Sequence, residues 1–115
     1  MRDPDYKFTK NLPKQCRQFI GSPTVTLQCT VNDYRAPIKW YKGDDEIPTD
    51  KPAQYLFEND IIGHHKLIIR APKKKDTATY KCRIQNTKHV TKCSLKIVGN
   101  VRLLVIQVVF PVLRN

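Results

Sequence analysis

Apolar and polar residues alternate through much of this chain, in short runs that predict β-strands. The run over 24–31 is strict, with an apolar side chain at every second position. Such alternation is typical of a strand that is buried on one side only. Proline, glycine, asparagine and aspartate separate the runs, and helical periodicity is nearly absent, so the pattern predicts an all-β fold. We predict nine strands, at residues 6–12, 15–19, 24–31, 38–42, 46–47, 55–58, 65–70, 77–85 and 89–98.

Four side chains in a fixed order indicate how these strands pack. Cys29 lies on the strictly alternating strand, Trp40 on the next long strand, and Tyr80 two positions before Cys82. In an immunoglobulin sandwich each sheet carries one cysteine, a tryptophan packs over the sulfurs, and such a tyrosine ties the corner between strands. The sequence therefore predicts two antiparallel sheets with Greek-key connections. The predicted core consists of Val25, Leu27, Cys29, Ile38, Trp40, Leu67, Ile69, Tyr80, Cys82, Ile84, Leu95 and Ile97.

Segments along most of the chain resemble the I-set immunoglobulin domains of giant muscle proteins, such as titin, twitchin, obscurin and myosin-binding protein C. The matching segments are 7–12, 25–29, 38–42, 46–47, 55–58, 65–69, 76–82 and 93–97. The resemblance implies an I-set domain over 7–98, followed by an apolar tail of uncertain structure over 99–115. It also implies a structural, protein-binding module in the sarcomere or cytoskeleton, with neighbouring immunoglobulin or fibronectin modules. One departure is that Asn86 lacks the following glycine common in the family, so we expect a longer or differently bent turn.

The chain start and the glycosylation pattern bear on location. The first residues are polar, without the apolar stretch of a secretory signal, and no Asn-x-Ser/Thr acceptor occurs. Both absences favour a cytoplasmic module or a piece of a longer chain, in which Cys29 and Cys82 would be thiols. The alternative is an extracellular adhesion or matrix domain that binds a protein ligand or heparan sulfate. An oxidised Cys29–Cys82 pair would favour that alternative.

Cys16 and Cys93 are a second possible pair. The resemblance implies that their strands lie side by side in parallel, and alternation directs both side chains inward. A disulfide between them is one outcome, provided that the two Cα atoms lie about 4.4–6.8 Å apart. The other is a pair of buried thiols that act as small apolar side chains, and this is the outcome we expect in a reducing compartment.

Motifs for metal binding and catalysis are missing from the sequence. The four cysteines and three histidines include no Cys-x-x-Cys pair of the kind that structural zinc sites use, so we expect no metal or other cofactor. There is no glycine-rich phosphate loop or nucleophile elbow. We expect Asp76 to hydrogen-bond the backbone at the corner before Tyr80, as in the family. The chain is therefore predicted not to be an enzyme.

The strongest functional signal is charge. Lysine and arginine number 21 against 10 aspartates and glutamates, which gives a formal net charge of +11 and favours acidic partners. Alternation places five cations and one aromatic outward on three strands that the resemblance makes neighbours, the C, F and G strands. We predict that this face docks an acidic protein partner; the alternative is a solvated face whose lysines guard against edge pairing. Its residues are Lys39, Tyr41, Lys81, Arg83, Lys92 and Lys96.

Two other segments carry weaker signals. The lysines at 73–75 have no interleaved aromatic residues, so we expect a solvated turn and no nucleic-acid binding. Residues 101–113 are mostly apolar but are broken by Arg102, Gln107 and Pro111. They fall short of the roughly twenty residues of a membrane span. We expect low order beyond residue 100, and the sequence leaves open whether this tail folds back as an added strand.

Overall fold

Nine strands and one 3-10 turn make up the described part of the chain, which covers residues 5–49 and 54–99 of a computed structural model. The all-β prediction is confirmed. The strands are β1 (Phe8–Lys10), β2 (Gln15–Phe19), β3 (Thr24–Val31), β4 (Ile38–Lys42), β5 (Asp45–Glu46), β6 (Tyr55–Asn59), β7 (His64–Arg70), β8 (Ala78–Ile84) and β9 (Val90–Val98). The 3-10 turn, Lys74–Asp76, precedes β8. No helix in these residues is long and apolar enough to cross a membrane.

Two sheets pack face to face. One has the order β1-β3-β7-β6 and the other the order β2-β9-β8-β4-β5. The chain thus changes sheet between β1 and β2, where Pro13 has no N–H to offer a continuing ladder. All strand pairs are antiparallel except β2 with β9, which run parallel. This is the sandwich that the sequence predicted, including its parallel edge.

The core lies between the sheets and takes side chains from both. Leu27 and Leu67 of the four-stranded sheet are fully buried, as are Tyr80 and Ile84 of the five-stranded sheet. Of the twelve side chains predicted to form the core, eleven are buried and Ile38 is half-buried. It is the first residue of β4, where it lines a surface cleft together with Tyr34 and packs against the core.

Three strands, β2, β3 and β4, have the predicted bounds, and the other six differ, most of them by one residue at an end. The first strand was predicted over 6–12 but spans only Phe8–Lys10, and in the segment before it the side chain of Asn32 adds two hydrogen bonds to the backbone. Asn32 Oδ1 accepts from the Lys7 N–H at 3.0 Å, and its Nδ2 donates to the Asp5 carbonyl at 2.8 Å. Such side-chain bonds compete with a regular ladder. The short strand predicted over 46–47 is Asp45–Glu46 instead.

The turn between β8 and β9 is held without glycine. Asn86 takes the left-handed conformation, with φ at 64°, which asparagine tolerates better than most residues. The Thr87 hydroxyl donates to the Ile84 carbonyl at 2.8 Å and accepts from the His89 N–H at 3.0 Å. The loop over 85–89 is therefore bent at Asn86 and held at both ends by the Thr87 hydroxyl. Of the predicted tail, residues 100–115 lie outside the described residues.

Candidate protein-binding face

The cysteine pair of the core lies beneath Trp40. The Cys29 and Cys82 sulfurs are 3.5 Å apart, and both are free thiols with no exposed surface. Trp40 is the cross-strand partner of Cys82. Burial raises the pKa of the Cys82 thiol. A buried, protonated thiol is a poor nucleophile, so this pair acts in packing.

Asp76 and Tyr80 close the corner before β8. The Tyr80 hydroxyl donates to the Asp76 carbonyl at 2.7 Å. One carboxylate oxygen of Asp76 accepts from the Lys73 N–H at 2.7 Å and from Gln54 Nε2 at 2.9 Å. The other lies 3.9 Å from the Lys42 ammonium. The carboxylate is 1% exposed and its oxygens face these protein groups, an arrangement suited to holding the corner.

Cys16 and Cys93 lie on the parallel strands β2 and β9. Cys16 pairs in register with Leu95, so Cys93 is its diagonal neighbour, two positions along the same face. Cys93 is buried and Cys16 half-buried, and both are free thiols. Burial raises the pKa of Cys16, and burial followed by the nearby Cys16 raises the pKa of Cys93 to about 11. The pair of thiols expected from the sequence stays the prediction, with a disulfide as the alternative.

The hairpin loop between β6 and β7 is closed by Asp60. Its Oδ1 accepts from three successive N–H groups, those of Ile62, Gly63 and His64, each at 3.0 Å. Its Oδ2 lies 2.7 Å from His64 Nδ1. The His64 hydrogen bond is the main reason that the pKa of Asp60 falls to about 2. His64 therefore helps to hold this loop. Among the described residues, no group of three or more His, Cys, Asp or Glu side chains is placed to hold a metal ion.

Cations lie directly opposite one another on the outer face of the five-stranded sheet. Tyr41 of β4, Lys81 of β8 and Lys92 of β9 form one row across it. Lys39 lies opposite Arg83 in the next row. Residues in such positions are about 5 Å apart at Cβ, and like charges there repel.

Lys96 belongs to a separate part of this face. It lies four residues beyond Lys92 on β9, a span of about 13 Å along the strand. The row between them contains Thr79, Ser94 and Gln15, which carry no charge. Lys96 instead lies opposite Arg17 of β2. The structure thus brings five of the six predicted residues together and leaves the sixth at the β2 edge.

A surface cavity of about 360 Å³ opens over the first row, and we call it the central basic cavity. Four of its residues are cationic, and two, Tyr41 and Val90, offer apolar surface. Lys88 comes from the loop over 85–89, so strand alternation gave no signal for it. The lining residues are Tyr41, Gly43, Asp44, Lys81, Arg83, Lys88, Val90 and Lys92.

Two carboxylates from the β4–β5 hairpin partly neutralise the face, and sequence reasoning missed both. Asp44 Oδ1 lies 3.1 Å from Lys81 Nζ, and Glu46 Oε1 lies 3.4 Å from Lys39 Nζ. Both pairs are accessible to solvent, so each contributes little to stability. Their positions follow from the register of the hairpin, which sets Glu46 opposite Tyr41 and which alternation alone does not predict. Within the described ranges, no salt bridge involves Arg83, Lys88 or Lys92.

The opposite sheet has a different surface. The outward positions of β3 are Thr24, Thr26, Gln28 and Thr30. Its neighbour β7 adds Lys66 and Arg70, and Lys66 lies opposite Glu58 of β6. The two faces of the sandwich therefore differ in charge, with the cations concentrated on the β4, β8 and β9 side.

Sequence comparison agrees with this architecture. The model of the immunoglobulin I-set domain matches residues 7–98. The chain belongs to the I-set family. Domains of this family are generally non-catalytic, and the solved structures most like this I-set domain include several from titin.

Three of these structures show the extent of the likeness. The I9–I11 tandem of titin matches with a TM-score of 0.72 and 24% identity, over 82% of this chain and 33% of the tandem. Titin domain I10 matches with a TM-score of 0.70 and 20% identity, over 83% of this chain and 100% of I10. A complex of titin M10 with an obscurin-like 1 immunoglobulin mutant matches with a TM-score of 0.68 and 18% identity, over 82% of this chain and 93% of the other. At these identities the likeness shows the fold, and the chain spans about a third of the I9–I11 tandem.

Proposed function

We propose that this I-set domain is a non-catalytic protein-binding module of a muscle cytoskeletal chain, and that it docks an acidic protein on the outer face of its five-stranded sheet. The observation that carries the proposal is the concentration of cations there. Lys81 faces Lys92, and Lys39 faces Arg83, across neighbouring strands. Each pair costs some stability in the free domain. An acidic partner surface removes that cost and is attracted by the field of the face.

The relatives support a protein partner. The similar structures are titin domains, and one of them is a complex between titin M10 and an obscurin-like 1 immunoglobulin domain. By analogy, we place this domain among neighbouring immunoglobulin or fibronectin modules in the sarcomere or cytoskeleton. Its partner would then be another folded domain or filament with a surplus of Asp and Glu.

The parallel edge supports a second part of the proposal, a role as a rigid spacer under tension. The β2–β9 pairing runs from Gln15 with Ser94 to Phe19 with Val98. Two further backbone bonds extend it, from the Ser94 N–H to the Lys14 carbonyl at 2.9 Å and from the Ile20 N–H to the Val98 carbonyl at 3.0 Å. Since these bonds join the first part of the domain to its last strand, pulling the ends apart loads them together.

Charge reversal tests the docking face. The face variant carries Lys81→Glu, Arg83→Glu and Lys92→Glu, and the control carries Lys10→Glu, Lys66→Glu and Arg70→Glu on the opposite sheet. Both change the net charge equally. We expect the face variant to lose at least about tenfold in affinity for a labelled glutamate-rich peptide, measured by fluorescence anisotropy at low and physiological salt. We expect the control to retain most of its affinity.

Three outcomes contradict the proposal. Equal losses in both variants would mean that net charge alone attracts the peptide. Unchanged binding in the face variant would place the contact elsewhere. Binding of a heparin oligosaccharide without any binding of the peptide would favour the extracellular alternative.

A further inference from the structure

The central basic cavity holds more positive charge than a single carboxylate would neutralise. Four cationic side chains line it, against the one carboxylate of Asp44. Asp44 pairs with Lys81 at 3.1 Å. This leaves Arg83, Lys88 and Lys92, which form no salt bridge with any described residue. The cavity therefore has a charge surplus directed at solvent.

The backbone positions of these cations are set before any ligand arrives. Lys81 and Arg83 lie on β8, which is paired on both sides, and Lys92 lies on β9. Lys88 lies in the loop that the Thr87 hydroxyl pins at both ends. Arg83 is further oriented by a contact of 3.4 Å from its Nη2 to the Thr87 carbonyl. Such preorganisation lowers the entropic cost of binding an anion.

Asp44 occupies the position that an acidic ligand group would take beside Lys81. Its side chain is 98% exposed, so the pair with Lys81 is open to competition from solvent and ligand. It follows Gly43, whose φ of 63° turns the chain over the cavity rim. An incoming anion displaces Asp44 at little cost.

We propose that the central basic cavity binds a phosphorylated side chain of the protein partner, with Asp44 as an internal competitor for the same cations. The inference rests on the proposed function, since it assigns the ligand group within that docking face. A phosphomonoester carries a charge near −2 at neutral pH and three strong acceptor oxygens, whereas a carboxylate carries one charge and two oxygens. The planar fork of Arg83 fits two phosphate oxygens at once. Tyr41 and Val90 provide apolar walls for the side chain that bears the phosphate.

Three labelled peptides test the ligand class. They share one acidic sequence and differ at a central position, which is serine, glutamate or phosphoserine. A phosphate accepts more charge-assisted hydrogen bonds than a carboxylate, and each such bond adds to the binding free energy. We therefore expect the intact domain to bind the phosphoserine peptide about tenfold more tightly than the glutamate peptide. Equal affinity for these two would overturn the phosphate site and leave the acidic docking face standing. Failure of all three peptides to bind would overturn both.

Two matched substitutions test the geometry. Lys88→Gln removes a cavity cation, and Lys96→Gln removes one from the β2 edge, with the same change in net charge. We expect Lys88→Gln to reduce the preference for phosphoserine over glutamate severalfold, and Lys96→Gln to leave it unchanged. An equal effect of the two would mean that the cavity itself does not hold the phosphate.

Asp44 gives a test in the opposite direction. Asp44→Asn removes the competitor, while Asp45→Asn makes the same charge change at a neighbouring exposed position that does not line the cavity. We expect Asp44→Asn to tighten phosphoserine binding severalfold, and Asp45→Asn to have little effect. If the two variants gain equally, or neither gains, the role assigned to Asp44 is wrong.

Discussion

Tyr80 shows how a single side chain stabilises a corner of this fold. The ring has no exposed surface, and its hydroxyl donates to the Asp76 carbonyl at 2.7 Å. Burial raises the pKa of the phenol, so it remains a donor across the physiological pH range. The bond joins β8 to the end of the turn that precedes it.

Removing that hydroxyl should be costly. We expect Tyr80→Phe to lower the free energy of unfolding by about 1–2 kcal/mol, because the buried carbonyl of Asp76 loses its partner. Urea denaturation measures this directly. Tyr34→Phe, at a side chain that is 53% exposed, is the control and should leave the unfolding free energy unchanged. An equal effect of the two would show that the Tyr80 bond does not stabilise the fold.

Gly63 is required by both conformation and space. Its φ is 114°, and a Cβ built there would lie 2.4 Å from the Val31 carbonyl oxygen. Gly21 has a similar φ of 103° but nothing within 4 Å. We expect Gly63→Ala to cost roughly 3 kcal/mol or more in unfolding free energy, and Gly21→Ala about 1 kcal/mol. Similar losses in the two variants would contradict the close contact with Val31.

His65 makes stability depend on pH. It is 7% exposed, and its Nε2 has no hydrogen-bond partner among the described residues. Burial lowers its pKa from 6.5, and the nearby charge of Asp60 opposes this to a smaller extent. The unfolded chain therefore binds a proton at a higher pH than the folded one. The contribution of neutral His65 is fully present above pH 6.5 and is lost as the pH falls.

We therefore expect the urea midpoint to fall between about pH 7 and about pH 5. His65→Gln should flatten this slope, whereas His89→Gln, at an exposed histidine, should not. Asp60 acts in a separate window: its contribution is present above 3.8 and is lost as the pH falls toward about 2. A midpoint that rises on acidification from neutral pH would contradict the assignment to His65.

At the scale of strands, alternation predicted much but not all of the structure. It identified the strands and which side chains face inward, because a strand exposes alternate residues to opposite environments. It could not reveal that β2 and β9 are parallel, which came from the family resemblance. It also missed Lys88 and Asp44, since their positions depend on how two turns bend over the sheet. Lys96 has the correct face but the wrong neighbours, because alternation gives the face of a residue and not the cross-strand register that sets Lys96 opposite Arg17.

The parallel edge makes a mechanical prediction. Ile20→Pro removes the N–H that bonds the Val98 carbonyl, along with the partly buried side chain. Ile20→Ala is the matched control, because it shortens the side chain but keeps the backbone N–H. We expect the proline variant to unfold at lower force than the alanine variant in single-molecule pulling. Equal forces would mean that this bond does not bear the load.

At the scale of the whole molecule, the two faces of the sandwich differ in charge. The formal charge of +11 comes from the full chain, but the structure sets cations opposite one another on one sheet, whereas β3 of the other sheet has uncharged outward side chains. The composition could predict an acidic partner. The packing of β4, β8 and β9 shows a cavity with three cations that lack salt bridges within the described residues, and this is where we propose that the partner docks.

The most direct test of the docking face is a map of backbone amide chemical shifts during titration with the glutamate-rich peptide. The account predicts that the largest changes fall on Tyr41, Lys81, Arg83, Lys88 and Lys92, and that they shrink as salt is added. Changes concentrated instead on the outer face of β3 and β7, or spread evenly over both sheets, would contradict it.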